Sequence, residues 1–241
     1  MSKYEIVNFI EKIIKIDFLK IYHIFSIILF INCTTIGFHN KENLNTYTFS
    51  EEITYRFCIY KEESISENRV NSLINDLSKE LELYNIKVDA KVISTYNRPA
   101  FTTKNIYHSI SSLYLPANCD RLMIMLERNI FDFLMHIFLP EVMGVVEGET
   151  RTRGYIFADY LSVNILFGGT PSNILIHENY HFLGCNHRII MNDCYKSIHE
   201  HRLEALYNIR KEIDFFPSQR QSVFFIRDRE KVNQIIKKLS E

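Results

Sequence analysis

An α/β (α+β) fold is predicted by three features of the chain. Runs of β-branched and aromatic residues alternate with stretches whose apolar positions recur at helical spacing. Hydrophobic residues fill 46% of 241 positions, enough for one well-buried domain. The strand signals come first, and two long helical patterns close the chain, so the class is a sheet with helices and a small helical C-terminal part.

Each element has its own signature. Ile53–Tyr60 (ITYRFCIY) is rich in β-branched and aromatic residues and reads as a strand. From Ser64 to Leu83, the residues Val70, Leu73, Ile74, Leu77 and Leu81 share one helical face, and Asn85 ends the helix. Ile86–Ser94 (IKVDAKVIS) alternates as a half-buried strand does. Residues 95–119 carry no clear period and read as loop with room for one helical turn. Arg121–Leu126 (RLMIML) reads as a short buried strand, and Ile130–Phe138 fits either a helix or an aromatic-rich loop. Val142–Val146 and Tyr155–Ala158 flank a polar, glycine-containing stretch and suggest a hairpin. The run Glu147, Glu149, Arg151, Arg153 reads as its exposed tip, with lining of a cleft as the alternative. Thr170-Pro171 is an N-cap followed by a first-turn proline, and Ile174, Leu175 and Ile176 then supply apolar residues. Ser197–Ile213 and Arg229–Leu239 read as C-terminal helices, separated by Phe215-Phe216-Pro217.

The residues that carry chemistry lie in the helix opened by Thr170-Pro171. His177, Glu178, His181, Gly184 and His187 stand as H-E-x-x-H-x-x-G-x-x-H. Positions i and i+4 share a helix face, so His177 and His181 can address one ion. Glu178 is turned about 100° around the axis, which suits a base acting on water beside the ion rather than a ligand. Gly184 can take a positive φ, end the helix and turn the chain back, so that His187 arrives as a third ligand. Three nitrogen ligands leave a fourth tetrahedral position open, the mark of a catalytic zinc site. Elsewhere, His199-Glu200-His201 looks like a second cluster, but such neighbours point apart on a helix and read as a solvated face. His108 and His136 are lone histidines, read as packing or surface residues.

The five-point pattern resembles that of the metzincin clan of zinc metallopeptidases, in which it is followed by a Met-turn. The resemblance implies a zincin-like domain with a twisted mixed sheet over the active-site helix. It implies zinc bound by His177, His181 and His187, Glu178 as general base, and Met191 as the Met-turn methionine. It also implies a peptide or protein substrate, lying antiparallel to the strand nearest the cleft, for which Val142–Val146 is the candidate. Two departures stand out. Tyr180 occupies the position before the second histidine, where the clan usually has glycine. Met191 follows His187 by only four positions, a short spacing similar to archaemetzincin-like proteins, although the cysteine-rich second zinc site of that group has no counterpart in the sequence. A zinc-dependent endopeptidase is the function this implies. The alternative is a catalytically inactive zinc-binding surface lipoprotein, acting as an adhesin or binding module.

Composition narrows the partners. A net charge of −1 and the lack of any basic cluster argue against nucleic acid. Near the N-terminus, Ile24–Ile31 (IFSIILFI) has the length of a signal-peptide core and is short for a membrane span. Cys33 follows it and resembles a lipobox cysteine, so residues 1–33 read as a lipoprotein signal. The acidic Glu5, Glu11 and Asp17 make the stretch before it unusual, which a start at Leu19 would explain. Residues 34–50 then read as a linker and 51–241 as the catalytic domain. The expected location is the bacterial cell envelope, through a lipid anchor at Cys33. A mature N-terminal helix in a cytoplasmic protein is the alternative. Of the remaining cysteines, Cys185 and Cys194 bracket His187 and Met191 and could staple that loop; Cys58 and Cys119 complete an even set. Four buried free thiols would satisfy the same sequence.

Overall fold

The computed structural model describes residues 36–99, 103–128, 142–159, 169–220 and 224–240. Cys33, the segment 1–33, Ile130–Phe138 and His136 lie outside the described residues.

A short helix α1 (Lys41–Leu44) leads into strand β1 (Ile53–Lys61). Helix α2 (Glu67–Glu82) follows, capped by the Ser66 hydroxyl, which accepts from the Arg69 amide. Strand β2 (Ile86–Thr95), helix α3 (Thr103–Ser111) and strand β3 (Arg121–Leu126) come next, then β4 (Gly144–Val146) and β5 (Arg153–Phe157). The motif helix α4 (Pro171–Phe182), helix α5 (Asn192–Arg210), a hairpin of β6 (Ser218–Arg220) and β7 (Phe224–Ile226), and helix α6 (Arg229–Ser240) complete the fold.

The five-stranded sheet runs β2-β1-β3-β5-β4, parallel throughout except for β4, which pairs antiparallel with β5 at the edge. Alternation along the strands explains why both faces are covered. Tyr55, Phe57 and Ile59 of β1, with Met123 and Met125 of β3, join the large core formed with α2, α4 and α5. Cys58, Leu122, Ile124 and Leu126 point to the other face, under α3 and α6. Every residue of β3 is buried in consequence, the apolar run Leu122–Leu126 and Arg121 at its head alike. Cys58 and Cys119 form a disulfide on that second face.

Three expectations need correction. Residues 95–119 contain the nine-residue helix α3, held by Ile106 and Ile110, one turn apart and buried against β3 and β5. Helix α5 starts at Asn192 rather than Ser197: Asn192-Asp193, a turn signal by residue type, instead forms its first turn, where Asp193 complements the helix dipole. The β6–β7 hairpin falls where only a break was expected.

The His199–His201 face is not uniformly solvated. His199 packs near the rings of Tyr47 and Phe49, and His201 is fully buried against Phe225, its Nδ1–H donating to the Ser197 carbonyl at 2.9 Å. Burial, aided by the nearby cations Arg121 and Arg151, pushes the His201 pKa from 6.5 down to about 3. Unfolded chain therefore takes up a proton below about pH 6.5 that the folded chain refuses until about pH 3. The stabilising difference is fully present above pH 6.5 and is lost as pH falls through that window. Replacing His201 by Phe should flatten the acid limb of stability, so that the melting temperature falls less between pH 7 and pH 4 than in wild type. An unchanged slope in a pH series of thermal melts would refute this.

Candidate metal centre

Helix α4 is built to present two imidazoles. Thr170 caps it through a hydroxyl that accepts from the Asn173 amide, and Pro171 occupies the first turn, where its missing N–H costs nothing. Ile174, Leu175, Tyr180 and Phe182 anchor it in the core. Asn179 turns toward the sheet and accepts from the Tyr55 hydroxyl at 3.0 Å. Tyr180, where the sequence departs from the clan, faces α2, its hydroxyl 2.9 Å from that of Tyr84 and also bonded to Glu80. His39 sits within reach of the same group, 3.4 Å from the Glu80 carboxylate. With these positions committed to packing, His177 and His181 remain on the face toward the cleft.

The helix ends as a Schellman motif. Gly184 takes φ +84°, the Cys185 amide donates to the Tyr180 carbonyl at 3.0 Å, and the Gly184 amide donates to that of His181 at 3.0 Å. This turn brings His187 beside the other two rings. Ring centroids lie 4.8 Å apart for His177 and His181, 5.0 Å for His177 and His187, and 4.7 Å for His181 and His187.

The donor set suits zinc. One nitrogen from each of the three rings falls within 4.8 Å of the others, and the His177 and His181 Nε2 atoms are 3.2 Å apart. A tetrahedral zinc with bonds of about 2.0–2.1 Å needs ligand nitrogens roughly 3.3 Å apart. His181 Nδ1–H donates to the Cys185 carbonyl at 2.8 Å, which fixes the tautomer and leaves Nε2 as the ligand atom. Burial lowers the His181 pKa to about 4, so the ring is neutral, as a metal ligand must be. Among the described residues, no other group of three His, Cys, Asp or Glu side chains meets the same spacing.

Glu178 lies beside these rings, buried, with its pKa raised to about 8 by desolvation. A bound dication would draw that value back down, because it favours the carboxylate. The edge strand β4 packs directly on it: a Cβ built on Gly144 would fall 2.8 Å from both Cγ and Oε1 of Glu178. Together β4, the hairpin tip and the three histidines line a cleft of about 340 Å³. The tip is not simply an exposed loop. Glu147 is buried and accepts from the Thr150 amide and hydroxyl, Arg153 is buried, and Arg151 lines the cleft.

The loop carrying His187 is held from three directions. Cys185 and Cys194 form a disulfide across it. The stretch from Ile36 runs parallel beside it: the Arg188 amide donates to the Ile36 carbonyl at 3.1 Å, Phe38 to Ile189 at 2.8 Å, and Met191 to Phe38 at 3.1 Å. Asn43 of α1 then donates to the Asn192 side chain at 2.6 Å. Met191 is fully buried in the core cluster that also contains Tyr180, Leu183 and Tyr195. Arg121, also fully buried, donates to the carbonyls of Phe182, at the end of α4, and of Phe216 and Pro217.

The structure thus brings His177, His181, His187 and Glu178 together. Sequence reading missed Gly144, the strap Ile36–Phe38 and Arg121. Gly144 had a faint signal, being one of only seven glycines and sitting beside a β-branched pair. Arg121 had another, a cation heading an otherwise apolar run. The strap had none.

No family model matches the chain, and no curated protein matches it. Among solved structures, it is similar to the crystal structure of archaemetzincin (amzA) from Methanopyrus kandleri. The identity is 12% and the TM-score 0.37, over 63% of this chain and 96% of that one.

Two consequences are measurable. Phe38→Pro removes the amide that donates to Ile189, whereas Phe38→Ala trims a side chain that is 74% exposed. The proline variant should bind zinc about tenfold more weakly in chelator competition, a loss of roughly 1.4 kcal/mol, while the alanine variant matches wild type. Equal affinities for all three proteins would show that the strap does not hold the third imidazole. Gly144→Ala should displace the Glu178 carboxyl. Any turnover should drop about tenfold or more, with a smaller effect on melting temperature, because the clash falls on the Glu178 side chain rather than on backbone. Wild-type turnover in this variant would contradict the close packing.

Proposed function

We propose that the chain is a zinc-dependent endopeptidase. The observation that carries this reading is the convergence of His177, His181 and His187 around one point, with the buried carboxyl of Glu178 beside them, under an open sheet edge. Zinc held by the three imidazoles would supply Lewis acidity and lower the pKa of a water molecule. Glu178 is placed to take a proton from the attacking water and pass it to the leaving amide nitrogen, so the base is restored when the peptide bond breaks. Among the described residues, strand β4 pairs with β5 on one side only, which in this reading leaves backbone groups of its other edge for an extended peptide. An antiparallel peptide on that edge would run its scissile bond past Gly144, next to Glu178. Burial of Glu178 supports the base role: an isolated buried carboxyl is destabilising, so its position is explained by chemistry rather than by packing. In this proposal Met191 is the Met-turn residue, its thioether packing under the imidazoles without binding the metal.

Purified protein should contain about one zinc per chain, lost in His181→Ala. Glu178→Gln should keep the zinc and lose nearly all peptide cleavage, because an amide is nearly isosteric but cannot accept the proton. Elemental analysis and a casein or peptide-library assay check both. Cleavage near wild-type rates in Glu178→Gln would overturn the base role. Zinc retention without cleavage by wild type would favour a binding module.

A further inference from the structure

An apolar surface stands beside the metal centre. Phe38 of the strap is 74% exposed, Ile189 of the His187 loop is 79% exposed, and Ile190 is half-exposed. Single apolar residues are ordinary at a surface, but these three share one short ribbon. Phe38 and Ile190 are parallel bridge partners, which places their side chains on the same side of it. The ribbon is rooted at both ends, because Ile36 and Met191 are buried. The Phe38 amide donates to Ile189 and the Met191 amide to Phe38, at 2.8 and 3.1 Å, and the Cys185–Cys194 disulfide closes the loop. Its apolar side chains cannot fold inward without breaking that ladder.

The sequence just before the strap points to what covers this surface. Seven of the eight residues in Ile24–Ile31 are apolar, and Cys33 follows. Such a run, or a lipid on Cys33, partitions into a bilayer. Cys33 precedes Phe38 by five positions, and five residues reach at most about 18 Å. A chain anchored there therefore carries the ribbon at the lipid surface. Charge around the ribbon is balanced rather than basic. Arg188 pairs with Asp193 at 3.4 Å, His39 stands 3.4 Å from Glu80, and exposed Lys41 is followed by exposed Glu42. Contact with lipid would thus be apolar, with little attraction to anionic headgroups.

We propose that Phe38, Ile189 and Ile190 dock into the interfacial layer of a lipid bilayer and hold the three-histidine site at the membrane surface. Ile189 follows His187 by two positions, and His187 is itself exposed. The docking surface is therefore continuous with the rim of the cleft that His187 lines. A rigid ribbon suits this role, since side chains already projecting lose little freedom on insertion. Docking stands apart from the peptidase reading, and its test reads no cleavage.

The chain contains no tryptophan, so a single introduced indole reports its own surroundings. The full chain is reconstituted into phosphatidylcholine vesicles, with and without bromine on the acyl chains as a fluorescence quencher. Phe38→Trp and Ile189→Trp should each lose about half of their emission or more to the brominated lipid, as side chains at the headgroup–acyl boundary do. Ile209→Trp carries the same indole at an exposed position roughly 25 Å along α5 from Asn192, and it should keep its emission. High salt should leave this pattern unchanged. Wild-type zinc content in each variant shows that the fold survives, and Ile189→Trp carries the test should Phe38→Trp lose it. No quenching at Phe38 and Ile189, or equal quenching at all three positions, would overturn the proposal. So would quenching that salt abolishes, the mark of electrostatic adsorption. Blue-shifted emission at the two ribbon positions that brominated lipid does not quench would overturn it too, because a second copy or the chain's own apolar run would then cover the ribbon.

Discussion

Three imidazoles meet at one point, and the described structure around them depends on how the chain brings them there. A straight helix can supply two of them, because residues four apart share a face and the next candidate is already a turn too far. The third has to come from a chain that reverses. Gly184, at φ +84°, makes the reversal, and the Cys185 and Gly184 amides close it onto the helix end. The loop that follows is short and largely exposed, so it has little core of its own to hold it. A disulfide from Cys185 to Cys194 and a ladder of backbone bonds to Ile36 and Phe38 do so instead.

The helix itself has to be immobile about its long axis, since a small rotation would separate His177 from His181. Polar groups on its other faces set that rotation. Asn179 is bonded to Tyr55 of the sheet, Tyr180 to Glu80 of α2 and to Tyr84 just beyond its end, and the Phe182 carbonyl to the buried Arg121. Each is a buried polar group that must find its partner, so any other helix orientation would leave several unsatisfied at once. Tyr180 thus replaces the small residue expected before the second histidine with a bonded anchor.

The sheet edge completes the site. Among the described residues, strand β4 is the one antiparallel strand of the sheet, and it stands at the edge that packs on Glu178 of α4. Gly144 lets its backbone touch the Glu178 carboxyl, so that carboxyl and the sheet edge are in contact. The tip beyond it turns Glu147 and Arg153 inward and leaves Arg151 on the cleft wall. Strand alternation alone would put these odd-numbered residues on one face; the left-handed backbone at Arg151, φ 50°, breaks it.

Much of this was legible in the residues alone. Period-two and helical patterns located β1, α2, β2, β3 and the β4–β5 hairpin, because those segments are amphipathic or wholly apolar and burial follows composition. Spacing and a turn glycine made His177, Glu178, His181 and His187 one site, since helix geometry is local. Other features were invisible for the complementary reason. Helix α3 is held by two isoleucines against strands far away in sequence, and His201 is buried by a hairpin that its own helix does not predict. The pairing of Cys185 with Cys194 was one of two open possibilities until the loop was seen to close. Ile36–Phe38 beside Arg188–Met191, Gly144 on Glu178 and Arg121 under the end of α4 join residues far apart along the chain. The sequence by itself determined which groups could do the chemistry, because their spacing is a property of one helix and one turn. Only the tertiary structure decided what holds and flanks them, because those contacts depend on the path of the chain through space.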